Sequence, residues 1–196
     1  MNVFVLNAGR CGSVTFAQAC NHIENYTSGH ETRTNKINGR LNYPNDHIEV
    51  DNHLTFMLGR LDEMYGNDAY YVHLKRNLKQ NAKSWIRKEK KYKRKGRIWF
   101  YKQQVITDGN RIDELEVAKD YCITANKNIE HYLKDKERKM TINIENAEGR
   151  MEEFYKFIGA KGSVKKSKKE VRNKYNRIDN IGEITKIKNR IYKKLF

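Results

Sequence analysis

Val3-Phe4-Val5-Leu6 is an unbroken apolar run, closed by Asn7-Ala8-Gly9-Arg10-Cys11-Gly12-Ser13 before Phe16, Ala17, Cys20 and Ile23 take up helical spacing. A short run without polar alternation marks a strand buried on both faces, the habit of parallel sheets covered by helices. Parallel neighbours need crossovers, so such a chain must alternate strands with helices. The expected fold is α/β: a three-layer arrangement with a central, mostly parallel sheet flanked by helices.

The remaining pattern agrees with that alternation. Ser13 is placed to cap the first helix, which the spacing extends to about Glu24. Tyr26 to His30 reads as a second strand, a polar stretch around Pro44 as loop, and Ile48 to Val50 as renewed order. Leu54, Met57, Leu58 and Leu61 predict an amphipathic helix stopped at Gly66-Asn67, and Tyr70 to Leu74 a strand ended by Lys75-Arg76. Asn77 can cap a helix through Leu78, Ala82 and Trp85 into the basic run 87–97. Leu115 to Leu133 predicts a long helix, Met140-Ile142-Ile144 a strand, Met151 to Ile158 a helix ending at Gly159, and Ile184 to Leu195 a closing helix. With no repeat and a single proline, 196 residues read as one domain, 1–196.

Charge narrows the partners. Lys and Arg number 40 against 24 Asp and Glu, a net +16. Residues 1–68 hold five basic and eight acidic side chains, so the whole excess sits in 69–196. That part of the chain is built to meet anions. No apolar run approaches the roughly 18 residues of a membrane helix, and MNVFVLN carries no basic segment before its apolar stretch, so a cytoplasmic protein without a membrane span is expected. Three cysteines and six histidines without ligand spacing predict neither disulfides nor a metal site.

The turn at Gly9 to Thr15 stands where a strand feeds a helix, and there backbone N–H groups and the helix dipole converge on an anion. Arg10 adds a planar positive fork. A nucleotide-triphosphatase loop would carry Lys-Ser or Lys-Thr after the second glycine, and Ser13-Val14 stand there instead. The dinucleotide fingerprint lacks its third glycine. Gly9 and Gly12 equally suit a tight strand-to-helix turn with no ligand. Arg76 follows a strand end, and Ser84, about two helical turns past Asn77, returns to the face on which its helix began.

Taken in order, these residues resemble the sulfotransferases that use 3′-phosphoadenosine 5′-phosphosulfate (PAPS). Gly9-Arg10-Cys11-Gly12-Ser13 looks like that family's 5′-phosphosulfate loop, with Cys11 in place of the usual Ser and Ser13 in place of Thr. Val72 to Arg76, continued to Ser84, is similar to its 3′-phosphate element. Thr141 to Glu145, followed by Phe154 and Phe157-Ile158-Gly159, looks like its late strand and helix end, so the likeness spans about residues 3–160. The resemblance implies a sheet related to the P-loop nucleotide kinases, and PAPS as co-substrate with no metal. It implies that Gly9, Arg10, Cys11, Gly12, Ser13, Val14 and Thr15 hold the 5′-phosphosulfate, and that Arg76 and Ser84 hold the 3′-phosphate. A basic C-terminal segment, 161–196, would pack on or close over the nucleotide, with Lys161, Lys165, Lys166, Arg172 and Lys174 available; the family's usual Arg-Lys-Gly order is absent there.

Sulfuryl transfer to a hydroxyl or amine needs a base for the acceptor proton and cations at the leaving phosphate. His30 and Glu31, ending the second strand, are the first candidates. Neighbours on a strand face opposite ways, so one of the two is expected to point into the crevice. His53 is the runner-up, with Asp51 also suited to cap the helix behind it. Residues 32–47 and 86–112 are the expected acceptor loops, and a carbohydrate, anionic or not, the expected acceptor. A nucleic-acid-binding protein is the competing reading, from Tyr92, Trp99, Phe100 and Tyr101 among Lys and Arg; a nucleotide or small-molecule kinase is a third.

Overall fold

β1 (Asn2–Leu6) is paired on both sides, Val5 standing against Val50 of β3 (His47–Val50) and Val72 of β4 (Ala69–Lys75). This computed structural model describes residues 1–92, 95–106, 111–173 and 175. β2 (Thr27–His30) extends the sheet beyond β3, and β5 (Lys139–Asn143) beyond β4. All four pairings are parallel, in the order β2-β3-β1-β4-β5. Connections leave β1 and β4 in opposite lateral directions, so a crevice opens at the carboxyl ends of the central strands, where α/β sheets hold ligands.

Helices α1 (Ser13–Cys20), α2 (Leu58–Tyr65), α3 (Leu78–Tyr92), α4 (Arg97–Gln104), α5 (Glu114–Tyr132), α6 (Ala147–Ile158) and α7 (Val164–Val171) complete the described secondary structure with two short 3-10 helices, Asn52–Phe56 and Ile144–Asn146. Alternation along β1 divides the core. Val3 and Val5 face one layer, where Phe16 of α1 meets Phe154 of α6 edge-on with ring centroids 5.3 Å apart. Phe4 and Leu6 face the other, with Leu54, Leu61 and Tyr71. The result is the expected three-layer α/β architecture.

Several boundaries differ from the sequence reading. Gly12, not Ser13, caps α1, and α1 ends at Cys20 because Ile23 leaves the helix to bridge Gly162 in antiparallel fashion. The helix expected over Leu54 to Tyr65 breaks at Met57 into a 3-10 turn and α2. The last strand stops at Asn143, and Ile144 begins a 3-10 turn instead of continuing it. Asn77 does cap α3, its Oδ1 accepting from the Gln80 amide at 3.2 Å. Among the described residues no helix is long and apolar enough to cross a membrane. The predicted closing helix at Ile184 to Leu195 lies outside the described residues, as does Lys174.

Candidate functional site

The turn after β1 is wound by three left-handed residues, Gly9 (φ 75°), Arg10 (φ 58°) and Gly12 (φ 79°). Both glycines also have packing reasons. A Cβ on Gly9 would collide with the Trp85 ring, and one on Gly12 with Ile144, so the tight-turn reading accounts for both. Arg10 is different, since a side chain in this region is strained by the order of 1–3 kcal/mol and persists where its surroundings fix it.

Those surroundings come largely from one face of α3, through Asn81, Ser84 and Trp85 at helical spacing. Buried Asn81 donates from Nδ2 to the Gly9 carbonyl (2.8 Å) and to Cys11 Sγ (3.2 Å), while its Oδ1 accepts from Cys122 Sγ (2.6 Å). Trp85 Nε1 donates to the Ala8 carbonyl at 3.2 Å. Arg10 Nε donates to Ser84 Oγ at 3.2 Å, and Arg76 Nη1 donates to the Arg10 carbonyl at 3.0 Å. The two anion elements of the sequence are thereby joined at one end of the sheet. Asn81 escaped the sequence reading, although its spacing from Ser84 and Trp85 signals a shared face.

Positive charge is concentrated here against its own repulsion. Burial, with Arg76 next in weight, pushes the Arg10 guanidinium below its ordinary value. Burial and then the charge of Arg10 do the same to Lys88. Among the described residues Arg76 makes no ion pair, whereas Lys75 beside it reaches Glu130 at 2.9 Å. Arg76 thus acts on Arg10, and Arg10 on Lys88, at one end of the sheet. The first turn of α1 lies among them, and its leading N–H groups have no partner within the helix; the first intrahelical bond runs from Phe16 to Gly12. Burial drives the Cys11 thiol up to about 12, so Cys11 packs as a neutral group.

Both residues at the end of β2 reach the site, contrary to the one-of-two expectation. Glu31 lies beyond the strand with φ 54°, which breaks the alternation of faces. Nor is β2 the neighbour of β1, because β3 intervenes; contact with the turn runs through α1, where Ser13 Oγ lies 2.9 Å from His30 Nε2. Glu31 Oε1 accepts from Asn52 Nδ2 (2.6 Å) and stands 3.8 Å from His30 Nε2 and 4.0 Å from His53 Nδ1. His30 therefore meets the hydroxyl and the carboxylate through the same nitrogen, which is not the arrangement of a nucleophile triad.

His53 is held from behind. Asp51 caps the 3-10 turn through the His53 amide (2.7 Å), and the same Oδ1 lies 2.8 Å from His53 Nδ1. Its other oxygen is ion-paired with Arg40, itself 3% exposed and hydrogen-bonded to Tyr43. Burial raises the Asp51 carboxyl, but the bonds from His53 and Arg40 more than offset it and leave the group below the ordinary carboxylate range. Glu31, Asp51 and His53 bring ligand-type atoms within 4.8 Å of one another, with the Arg40 guanidinium on the Asp51 oxygen that faces away from His53. Within residues 32–47, Arg40, Leu41 and Tyr43 are buried supports of the site, whereas 34–38 and 44–46 are exposed.

The C-terminal lysines are not brought in. α7 runs antiparallel to α1: Ser167 Oγ donates to the Ala19 carbonyl and Thr15 Oγ1 to the Asn173 carbonyl (3.1 Å). Exposed Lys165 and Lys166 lie at the Ser163 end, beside His22, about 10–15 Å along the helix from the turn. Lys161, bonded through its amide to Asn25, shares that end, and Arg172 pairs with Glu148. Among the described residues of 86–112, 86–92 and 97–104 are helical, with Tyr101 tied to Asp120 (2.6 Å) and packed on Tyr121, while Tyr92 and Phe100 are exposed. Comparison with protein-family models, curated proteins and solved structures returned no match.

Proposed function

We propose that this chain is a PAPS-dependent sulfotransferase. The observation that carries the reading is the joining of Arg10, Ser84 and Arg76 at the first turn of α1. A nucleotide bearing phosphates at both ends of its ribose needs two adjoining anion sites, and a triphosphate cradle needs a lysine that this turn lacks. Arg10 and the leading amides of α1 would hold the 5′-phosphosulfate with Ser13 assisting, and Arg76 and Ser84 the 3′-phosphate, while the Thr15 hydroxyl is already given to the Asn173 carbonyl. The nucleotide supplies the sulfuryl group.

His53 fits the base best. A carboxylate only accepts, so the proton of neutral His53 sits on Nδ1 facing Asp51, and Nε2 keeps the lone pair. His30 presents Nε2 to Ser13 on the anion turn, which suits a nucleotide contact. In the transfer, His53 takes the acceptor proton as the acceptor oxygen or nitrogen bonds to sulfur. The bond from sulfur to the bridging phosphate oxygen breaks, and adenosine 3′,5′-bisphosphate leaves against the Arg10 charge.

Thermal melting tests the reading. A ligand of the folded state alone stabilises by about 2.7 kcal/mol at a hundredfold excess over Kd. Adenosine 3′,5′-bisphosphate should raise Tm without Mg²⁺, and ATP far less. Stabilisation by ATP-Mg²⁺ alone would assign the turn to a kinase, and stabilisation only by single-stranded oligonucleotides would assign the basic face to nucleic acid.

A further inference from the structure

Arg97, the first residue of α4, is fixed beside the His53 cluster without a counter-ion. Its Nη1 donates to Asn52 Oδ1 and to the Tyr121 hydroxyl (3.1 Å), and its guanidinium lies 5.1 Å from the Phe56 ring centroid and 5.3 Å from that of Trp85. All of these partners are neutral. Among the described residues no carboxylate lies within ion-pair distance of Arg97, although Glu31 is one residue away through Asn52. A guanidinium has five N–H donors, and Nη1 supplies both of these bonds, so Nε and Nη2 keep donor capacity. Two aromatic rings and two hydrogen bonds have already removed the rotamer freedom that a long cation loses on binding.

Arg97 holds different residues from Arg10 and Arg76, although its partners Asn52 and Trp85 also pack against Gly9 of the β1 turn. Arg97 is bonded to Asn52 and stacked on Phe56, the two ends of the 3-10 turn that carries His53. Phe56 is 65% exposed, an aromatic face open to solvent next to a fixed cation. Arg10 and Arg76 act on the β1 turn instead. The neighbouring Lys88 also lies over the Trp85 ring, its Nζ 5.1 Å from the centroid. The Arg97 charge also lowers the Lys88 ammonium, after burial and Arg10, while Glu31 and Glu89 act the other way.

We propose that Arg97 and the exposed Phe56 ring form an acceptor-side subsite that selects molecules carrying an oxyanion, carboxylate or sulfate ester, near the group to be modified. The subsite rests on the sulfotransferase reading for its role, and on its own geometry for its affinity. A neutral acceptor would leave the fixed guanidinium uncompensated at the closing of the site. An anionic one gains a charged hydrogen bond, worth a tenfold or greater preference.

Arginine Nε–Hε resonances read both sites in one NMR experiment on the full chain, with Arg97→Gln as the assignment control. Adenosine 3′,5′-bisphosphate is added to saturation first, then acetate or methyl sulfate, with neutral acetamide as comparison. The expected result is that the bisphosphate moves Arg10 and Arg76, and that acetate or methyl sulfate then moves Arg97 saturably and well before Arg150, a half-buried arginine paired with Glu153 at 2.8 Å. A shift with one anion alone identifies which oxyanion the subsite takes. An Arg97 resonance that follows neither anion, or is already saturated by the bisphosphate, overturns the subsite. Silence of Arg10 and Arg76 toward the bisphosphate would instead overturn the nucleotide reading, and the response of Arg97 to the simple anions would still decide the subsite.

Discussion

Arg76 at the end of β4 donates to the backbone carbonyl of Arg10 across 3.0 Å, locking the left-handed residue of the β1 turn to the neighbouring strand. One guanidinium thus braces the turn with one nitrogen and, on the proposed function, would offer its remaining donors to a phosphate. This double duty explains why two cations can stand together in a site whose own field opposes them.

Arg76→Ala should therefore weaken adenosine 3′,5′-bisphosphate binding by about tenfold to a hundredfold, the worth of a charged hydrogen bond. Adenosine 5′-phosphosulfate has no 3′-phosphate and should lose far less. Calorimetric titration of both nucleotides checks this, and equal losses would mean that Arg76 acts only as a brace.

Gly12 offers a test of the turn itself. At φ 79°, and with Ile144 where a Cβ would go, Gly12→Ala should destabilise by about 1–3 kcal/mol. Adding Ile144→Ala to that variant removes the clash and leaves only the backbone strain. The double variant should then cost less than the sum of the two singles, a coupling that urea denaturation measures.

The same two residues show what the sequence could and could not disclose. The Gly9-to-Gly12 spacing marked a strand-to-helix turn because local chemistry alone decides that. Ile144 covering Gly12 depends on β5 ending a residue early, a consequence of packing that no local pattern records. Arg76 and Ser84 could be placed from a strand end and a helical period, but that each is bonded to Arg10 could not. Arg40 was not, since a loop arginine reads as solvated until Asp51 and Tyr43 are seen around it. The contact of His53 with Asp51 was hidden for the same reason, since two residues of separation in sequence do not say whether a carboxylate points at the ring.

Buried His73 on β4 gives a pH dependence with a definite sign. Its Nε2 is 2.9 Å from Asn126 Oδ1, and burial lowers its pKa from 6.5 to about 4. Between those values the unfolded chain binds a proton that the folded chain refuses, so stability falls as pH drops through this window, by up to about 3 kcal/mol. Above pH about 6.5 the penalty vanishes. Denaturant midpoints measured from pH 7 to 4 should decline in the wild type and stay flatter in His73→Gln, after the carboxylates common to both are subtracted. Parallel curves would show that His73 is protonated in the fold.

The assignment of the base makes the sharpest demand on the site. His53→Ala should lower turnover by ~10²–10⁴ and leave bisphosphate affinity nearly intact, because a base acts on the acceptor proton and not on the bound nucleotide. His30→Ala should do the reverse, weakening the nucleotide through the loss of the Ser13 contact while sparing turnover at saturation. Asp51→Asn keeps the shape but removes the charge that fixes the His53 proton, so it should depress turnover without moving nucleotide binding in whatever fraction stays folded. The measurement is transfer from labelled PAPS to glycans, phenols and amines by the wild type and these variants with Glu31→Gln. Near-normal turnover in His53→Ala, together with its loss in His30→Ala or Glu31→Gln, would return the base to the end of β2.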